Sequence, residues 1–238
     1  MNKPTTIAII MILVNFSCLS SQESEQLVEE ITILHQETPF NQLEIKSIDK
    51  VILVQGTTPS VAIIKGSEYQ SLLEISTVNG KLIINKKQTK DKKLKNKQIY
   101  LKINYTNLNQ IKLINIGSVS CVNAIQTTNL TAAIHNVANV DLDVDCDQLN
   151  LICTNSADLT LTGLSKNNEI EVKNSADLDF LNLNVEQMNL IAKNGASGRI
   201  NVSGKLSILL ENYASFTVKG SPTIIKKEIK NVANLVFE

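Results

Sequence analysis

The chain has 238 residues, with Lys+Arg 23 against Asp+Glu 23 and a formal net charge of zero; 43% of it is hydrophobic and only 4% aromatic. That balance, with Arg199 the one arginine, excludes the basic footprint and bidentate phosphate recognition of a nucleic-acid binder. The apolar content excludes a disordered tail, and 9 Gly with 4 Pro exclude a collagenous or loop-rich scaffold, which leaves one sizeable domain, or two small ones, with an aliphatic core.

Residues 1–20, MNKPTTIAIIMILVNFSCLS, join Lys3 to an apolar run from Ile7 to Val14, followed by small residues at Ser17, Cys18 and Ser20. The run is too short to cross a hydrocarbon core of ~30 Å and reads as the apolar region of an export signal. Cys18 stands where lipoprotein signals place the cysteine that receives lipid, and the segment resembles such a signal, with Asn15 where that pattern has an aliphatic residue. Two outcomes stay open: lipidation at Cys18, or cleavage near Ser20. Residues 21–37 then read as a polar tether, acidic in its first part.

From residue 39 to 113 the pattern is of strands without a clean repeat. Phe40 to Ile45, Val51 to Gln55, Ser60 to Lys65, Leu72 to Ser76, Lys81 to Asn85 and Ile99 to Asn104 alternate or run apolar. Val78-Asn79-Gly80 between two of them predicts a tight hairpin. Residues 86–97, KKQTKDKKLKNK, hold seven lysines and read as a solvated hairpin loop, with contact to acidic lipid head groups or polysaccharide as the alternative. This irregular half is expected to cover the N-terminal end of the regular half, because a stack of repeats needs a cap.

The second half repeats itself. Asn115-Ile-Gly-Ser, Asn136-Val-Ala-Asn, Asn155-Ser-Ala-Asp, Asn174-Ser-Ala-Asp, Asn194-Gly-Ala-Ser, Asn212-Tyr-Ala-Ser and Asn231-Val-Ala-Asn recur at spacings of 21, 19, 19, 20, 18 and 19, a period that means a solenoid. Four and two residues before each Asn, and four and six after it, stand almost only apolar residues: Leu151, Cys153, Leu159 and Leu161 around Asn155 are one set. That is the period-two signature of strands with one buried face, not the 3.6 period of a helix. The predicted fold is therefore all-β, a parallel β-helix of ~19-residue coils (residues 114–238) behind a more irregular β portion, with seven coils making a rod of about 34 Å.

The motif supplies the corner. Asn tolerates left-handed backbone angles, Ala or Gly two residues on leaves room inside the bend, and Asn115, Asn136, Asn155, Asn174, Asn194, Asn212 and Asn231 stacked at one strand spacing can form an amide ladder. A row of ligand-binding amides is the functional alternative. The last strand, LVFE, leaves an edge to be blunted by charge or by a partner. Cys121, Cys146 and Cys153 fall on apolar positions and lack the close pairs of a zinc site. They read as buried thiols, with a Cys146–Cys153 bridge left open.

The order of an export signal, an opening FNQLEIKSIDKVILVQG, a VNGKLII hairpin and IYLKINYTNLNQIKLINIGSV running into Asn-x-Ala/Gly-Asp/Ser repeats resembles the GIN-domain family, the head domains of auto-transporter adhesins. The likeness covers roughly residues 38–238. It implies a right-handed β-helix, export and frequent lipoprotein signals, and it carries no catalytic residues to transfer. Members are richer in Gly-Ser-Gly at the corners, where this chain has Asn-Ser-Ala-Asp and its variants.

Asp141, Asp143, Asp145 and Asp147 alternate with apolar residues, so on a strand they point outward together, and with Asp158, Asp177 and Asp179 on the following coils they predict an acidic stripe. A flat strand face converges poorly on the six to eight oxygens that calcium takes, so neither a metal nor a cofactor is expected. Two functional classes remain. The first is a non-catalytic exported envelope protein whose partner is a protein or glycan, touching the membrane only through a lipid anchor. The second is a polysaccharide-processing enzyme using Asp141, Asp143 and Asp179. One Arg, two His and no Trp weigh against the second; His35 falls in the tether, and His135 has no base-orienting carboxylate near it in sequence.

Overall fold

Period-two alternation buries only one face of a strand, so each repeat must wrap that face around a shared interior. In the computed structural model, which describes residues 32–36, 38–91, 93, 94, 96–155 and 158–238, the chain is 72% strand and 3% helix and forms a β-solenoid of about six turns. Among the described residues fifteen strands build it: β1 (Thr32–Gln36), β2 (Gln42–Lys46), β3 (Lys50–Gln55), β4 (Ser60–Lys65), β5 (Leu73–Val78), β6 (Lys81–Lys86), β7 (Tyr100–Tyr105), β8 (Gln110–Cys121), β9 (Ile125–Thr154), β10 (Asp158–Lys173), β11 (Asp177–Lys193), β12 (Ser197–Glu211), β13 (Ser215–Lys219), β14 (Thr223–Lys230) and β15 (Asn234–Phe237). From β8 to β12 each long strand rounds a corner and pairs in parallel with the next; β12 then carries β13 and β14, and β13 carries β15.

The inward positions close a continuous aliphatic core. Leu151, Cys153, Leu159 and Leu161 lie buried above Ile170, Val172, Leu178 and Phe180. Gly198 stands in an inward column between Leu178 and Phe216. A Cβ there would lie 2.9 Å from the Phe216 ring and 2.8 Å from the Leu178 Cβ, so glycine makes the room the ring occupies. Cys146 and Cys153 are buried thiols, and no disulfide joins them.

The N-terminal half differs from its sequence reading in an informative way. β2 and β3 pair in parallel with the two halves of β8, and β6 and β7 pair in parallel with β2 and β3. Residues 42–55 and 81–105 are therefore further coils, stacked out of sequence order: the later coil lies outside the earlier one, whose other side receives β8. Antiparallel strands then close the end, β4 on β7, β1 on β4 and β5 on β6. Asn79 and Gly80, at φ 51° and 73°, make the β5–β6 hairpin. The segment read as a tether contains β1, with His35 opposite Val61. The export signal, Cys18 and the acidic stretch before residue 31 lie outside the described residues.

The opposite end carries its own charge. On β14, Lys227 occupies an inward position opposite Ile208, and its ammonium lies 5.5 Å from the centre of the Phe237 ring. The pairing slips by one residue at Ile225, a bulge, and Glu228 ties Lys226 and Lys230 at 2.7 and 2.8 Å. A hydrogen bond from Lys226, then one from Lys230, holds the Glu228 carboxyl down at about 2. An inward charge, a bulge and lysines are the devices by which an edge strand resists pairing with another chain.

Candidate functional site

The motif places the corners in register, one above the next along the rod. All seven motif asparagines are left-handed, with φ between 50° and 62°. The Nδ2 of Asn136 donates to Asn115 Oδ1 at 2.9 Å, and Asn174 donates to Asn155, Asn194 to Asn174, Asn212 to Asn194 and Asn231 to Asn212 at 2.8–3.0 Å. Among the described residues no such bond joins Asn155 to Asn136; there His135 Nδ1 and Thr154 Oγ1 meet at 2.6 Å instead. The corner geometry accounts for two runs. From Asn174 onward the next residue is left-handed too (Ser175, Gly195, Tyr213, Val232), which turns it outward and brings Ala176, Ala196 and Ala214 into the core. At Asn115 and Asn136 only the asparagine is left-handed, so Ile116 and Val137 point inward, and Gly117 and Ala138 are exposed rather than inside the bend. The amides themselves lie along the surface, exposed or half-buried.

The acidic residues do not converge. Asp141, Asp143 and Asp145 are backed on the next coil by Thr160, Thr162 and Leu164, and Lys166 reaches Asp147 at 2.6 Å. A hydrogen bond to Asp147 and its charge raise the Lys166 ammonium above its ordinary value. Asp158 and Asp177 are neighbours in register, and Ser197 Oγ donates to Asp177 at 2.7 Å. Asp179 is paired with Arg199 at 2.6 Å. Thr160 separates it from Asp141 in the same column, leaving the two carboxylates ~10 Å apart, two strand spacings, on an open face. Among the described residues no group of three or more His, Cys, Asp or Glu side chains is placed to hold a metal ion.

A concave site lies elsewhere, at the base of the lysine-rich segment. Residues 87–99 are not a hairpin loop: they join β6 to β7, strands on two different faces of one coil, and so are an enlarged corner directly beyond the asparagine column. Ser47 fills the corner place between that loop and Asn115; it is left-handed at φ 60°, and its N–H donates to Ile114 O at 3.0 Å. Ile48 turns into the core as Ile116 does. Two residues on, Asp49 Oδ2 accepts from the Lys86 ammonium at 3.1 Å and from the Ile99 N–H at 2.9 Å, clamping both ends of the loop. Lys86 also donates to Lys97 O. Inside the loop, Asp91 N–H donates to Thr89 Oγ1 and Lys93 N–H to Asp91 Oδ1, while Leu94 packs against the core. These bonds join the ends of the loop. Between loop and corner column lies a cleft of about 440 Å³, lined in part by Ser47, Asp49, Lys86, Lys87, Leu94 and Asn115. Two smaller clefts, of about 300 and 360 Å³, are lined mainly by amide and hydroxyl side chains of the coils.

Ser47 and Asp49 escaped the sequence reading because Ser stands in place of Asn. The signal was present, since Lys46-Ser47-Ile48-Asp49 between two alternating strands has the layout of Ile114-Asn115-Ile116-Gly117.

Comparison with known proteins agrees with this architecture. The solved structure of a putative adhesin from Bacteroides fragilis NCTC 9343 superposes with a TM-score of 0.79 at 20% identity, over 88% of this chain and 98% of that one. A putative lipid binding protein from Parabacteroides distasonis ATCC 8503 gives 0.64 at 14% identity, over 87% and 96%, and a putative adhesin from Parabacteroides merdae ATCC 43184 gives 0.62 at 14%, with the same coverage. At these identities the likeness is one of fold. No curated protein matches the sequence. The family model described as "Putative auto-transporter adhesin, head GIN domain" matches residues 39–222, which is most of the chain, and the chain therefore belongs to that family.

Proposed function

We propose that the protein is a non-catalytic component of the cell envelope, exported and held there, that presents the solenoid as a binding surface for adhesion. One observation carries this reading. Along the coils several outward charged groups are tied to one another, as in Arg199–Asp179, Lys166–Asp147, Lys193–Glu211 and Lys112–Glu44, and Asp141, Asp143 and Asp145 are backed by Thr160, Thr162 and Leu164 on an open face, whereas Lys86 and Lys87 line a cleft. Such a surface suits recognition without chemistry, because glycoside cleavage needs two carboxylates placed to act across one bond, and the outward acids do not converge. Asp179, one of the three carboxylates named for that role, is held by Arg199 at 2.6 Å. Family membership supports the adhesin-like role, and the reading of residues 1–20 as an export signal supports the address, with lipid attachment at Cys18 as its mode.

The test has two arms. Envelope fractionation and protease treatment of intact cells should find the protein in the envelope, with palmitate labelling that disappears in Cys18→Ala. A strain lacking the protein should adhere less to glycan-coated or host-cell surfaces. Cleavage of a glycan by the purified chain, abolished in Asp143→Ala or Asp179→Ala, would overturn the proposal.

A further inference from the structure

The cleft beneath the lysine loop has the chemistry of a specific site, and we infer that it binds an acidic saccharide, with a sugar carboxylate against Lys87 and ring hydroxyls against the corner. This rests on the binding-surface reading above and names its ligand class.

Size comes first. About 440 Å³ falls in the range of small-ligand pockets and holds one or two sugar rings. The lining then decides the chemistry. Its apolar side chains are Leu94, half-buried, and Ile48, which is 1% exposed and belongs to the core. Together with the methylene stems of Lys86 and Lys87 they set apolar surface beside ammonium, hydroxyl and amide groups, a mixture that suits a sugar ring with its C–H faces and hydroxyls. A neutral sugar would use the hydroxyl and amide groups but leave Lys87 unanswered.

Charge is distributed unevenly. Residues 38–105 contain 12 lysines against five carboxylates, so the neutral chain carries a cationic end. Within it, Lys86 is already engaged by Asp49 and Lys97 O, and Lys97 lies 5.5 Å from the Tyr69 ring centre. Lys87 is held only loosely, 3.7 Å from Glu74 with both side chains about half exposed. Lys90 and Lys93 are exposed on the same loop. Of these, Lys87 lines the cleft and is available to an incoming anion there, while Lys90 and Lys93 lie outside its lining and add to the positive field.

The corner column supplies the second half. Hydrogen bonds in the ladder run one way, each Nδ2 donating toward the preceding coil. Asn115 begins its run: its Oδ1 accepts from Asn136, and beyond it the column holds Ser47 rather than another carboxamide. The Asn115 side chain is exposed and lines the cleft, so it offers its amide donors there beside the Ser47 hydroxyl. Asp49, by clamping both ends of the loop, holds the segment that carries Lys87 against this donor pair.

The test is calorimetric titration of the purified chain with a galacturonate trisaccharide, in parallel with the neutral galactose trisaccharide and with phosphatidylglycerol vesicles. Binding of the acidic trisaccharide alone is expected, weakening with salt. Asn115→Asp keeps the acceptor for Asn136 and tolerates the left-handed backbone, but it replaces a donor by a charge, and should weaken binding about tenfold or more. Lys87→Gln, at an exposed position that cannot unfold the chain, should weaken it severalfold. Equal binding of the neutral sugar, binding of vesicles without the trisaccharide, or an unchanged affinity in both variants would overturn the inference. If trisaccharide binding fails while cells lacking the protein still lose adhesion, the site is wrong and the adhesive role stands; if adhesion is also unaffected, the broader reading fails.

Discussion

Replacing Asn174 separates the two roles of a corner asparagine. Its Nδ2 donates to Asn155 Oδ1 at 2.9 Å, its Oδ1 accepts from Asn194 at 3.0 Å, and its φ is 62°. The side chain is exposed, so each amide bond stands at the low end of the usual range, about 0.5 kcal/mol. A left-handed residue with an ordinary Cβ costs about 1 kcal/mol more. Asn174→Leu loses both bonds and takes on the backbone cost, for about 2 kcal/mol in all. Asn174→Gly loses the bonds but not the backbone freedom, for about 1 kcal/mol. Equilibrium guanidinium unfolding followed by far-ultraviolet circular dichroism measures both, and the two variants should differ by about 1 kcal/mol. Equal losses would refute the backbone contribution, and a neutral Asn174→Gly would leave the ladder without measurable weight.

Three further outcomes rest on the same geometry. Val232 is 79% exposed at φ 61°, a conformation that strains a β-branched residue, so Val232→Gly should raise stability by about 1 kcal/mol in the same assay; a loss would show that the side chain is needed. Lys227→Leu removes the inward charge over Phe237 and should promote end-to-end association that grows with concentration in light scattering, whereas behaviour identical to the unmodified chain would show that the bulge at Ile225 suffices. Burial raises the Tyr105 phenol above its ordinary 10.0 and the Cys121 and Cys146 thiols above their ordinary 9.0. Because the folded chain holds these protons more tightly than the unfolded one, their stabilising contribution is complete below pH 9 and is lost as pH rises past the ordinary values. The unfolding midpoint should therefore fall above pH 9, and Tyr105→Phe should lessen the fall above pH 10; an unaltered profile would contradict the burial.

The coil interior was legible because it is a matter of period and volume. A thin solenoid admits Val, Leu, Ile and Ala at every second position and few rings, which is why 4% aromatics accompany an aliphatic repeat, and why Phe216 requires Gly198 beside it. The hairpin at Asn79-Gly80 was legible for a local reason, since two successive left-handed residues are a property of the dipeptide. The site was not. Asp141 and Asp179 look like partners in one dimension, but register places Thr160 between them and Arg199 on Asp179. The lysine loop was visible as charge, yet nothing local distinguishes a hairpin tip from an enlarged corner.

What the sequence by itself determined is the unit: a ~19-residue coil with one inward face and an asparagine at its bend, because backbone pleat and left-handed tolerance are properties of neighbouring residues. What only the tertiary structure decided is the order in which coils stack. Residues 81–105 lie outside residues 42–55, while β8 takes the other side, and that inversion carries the loop onto Ser47, Asp49 and Asn115. Pairing between distant strands is a competition among many edges of similar strength, settled by which arrangement buries the whole core, and it is this non-local choice that turns a neutral chain into a rod with a cationic cleft at one end.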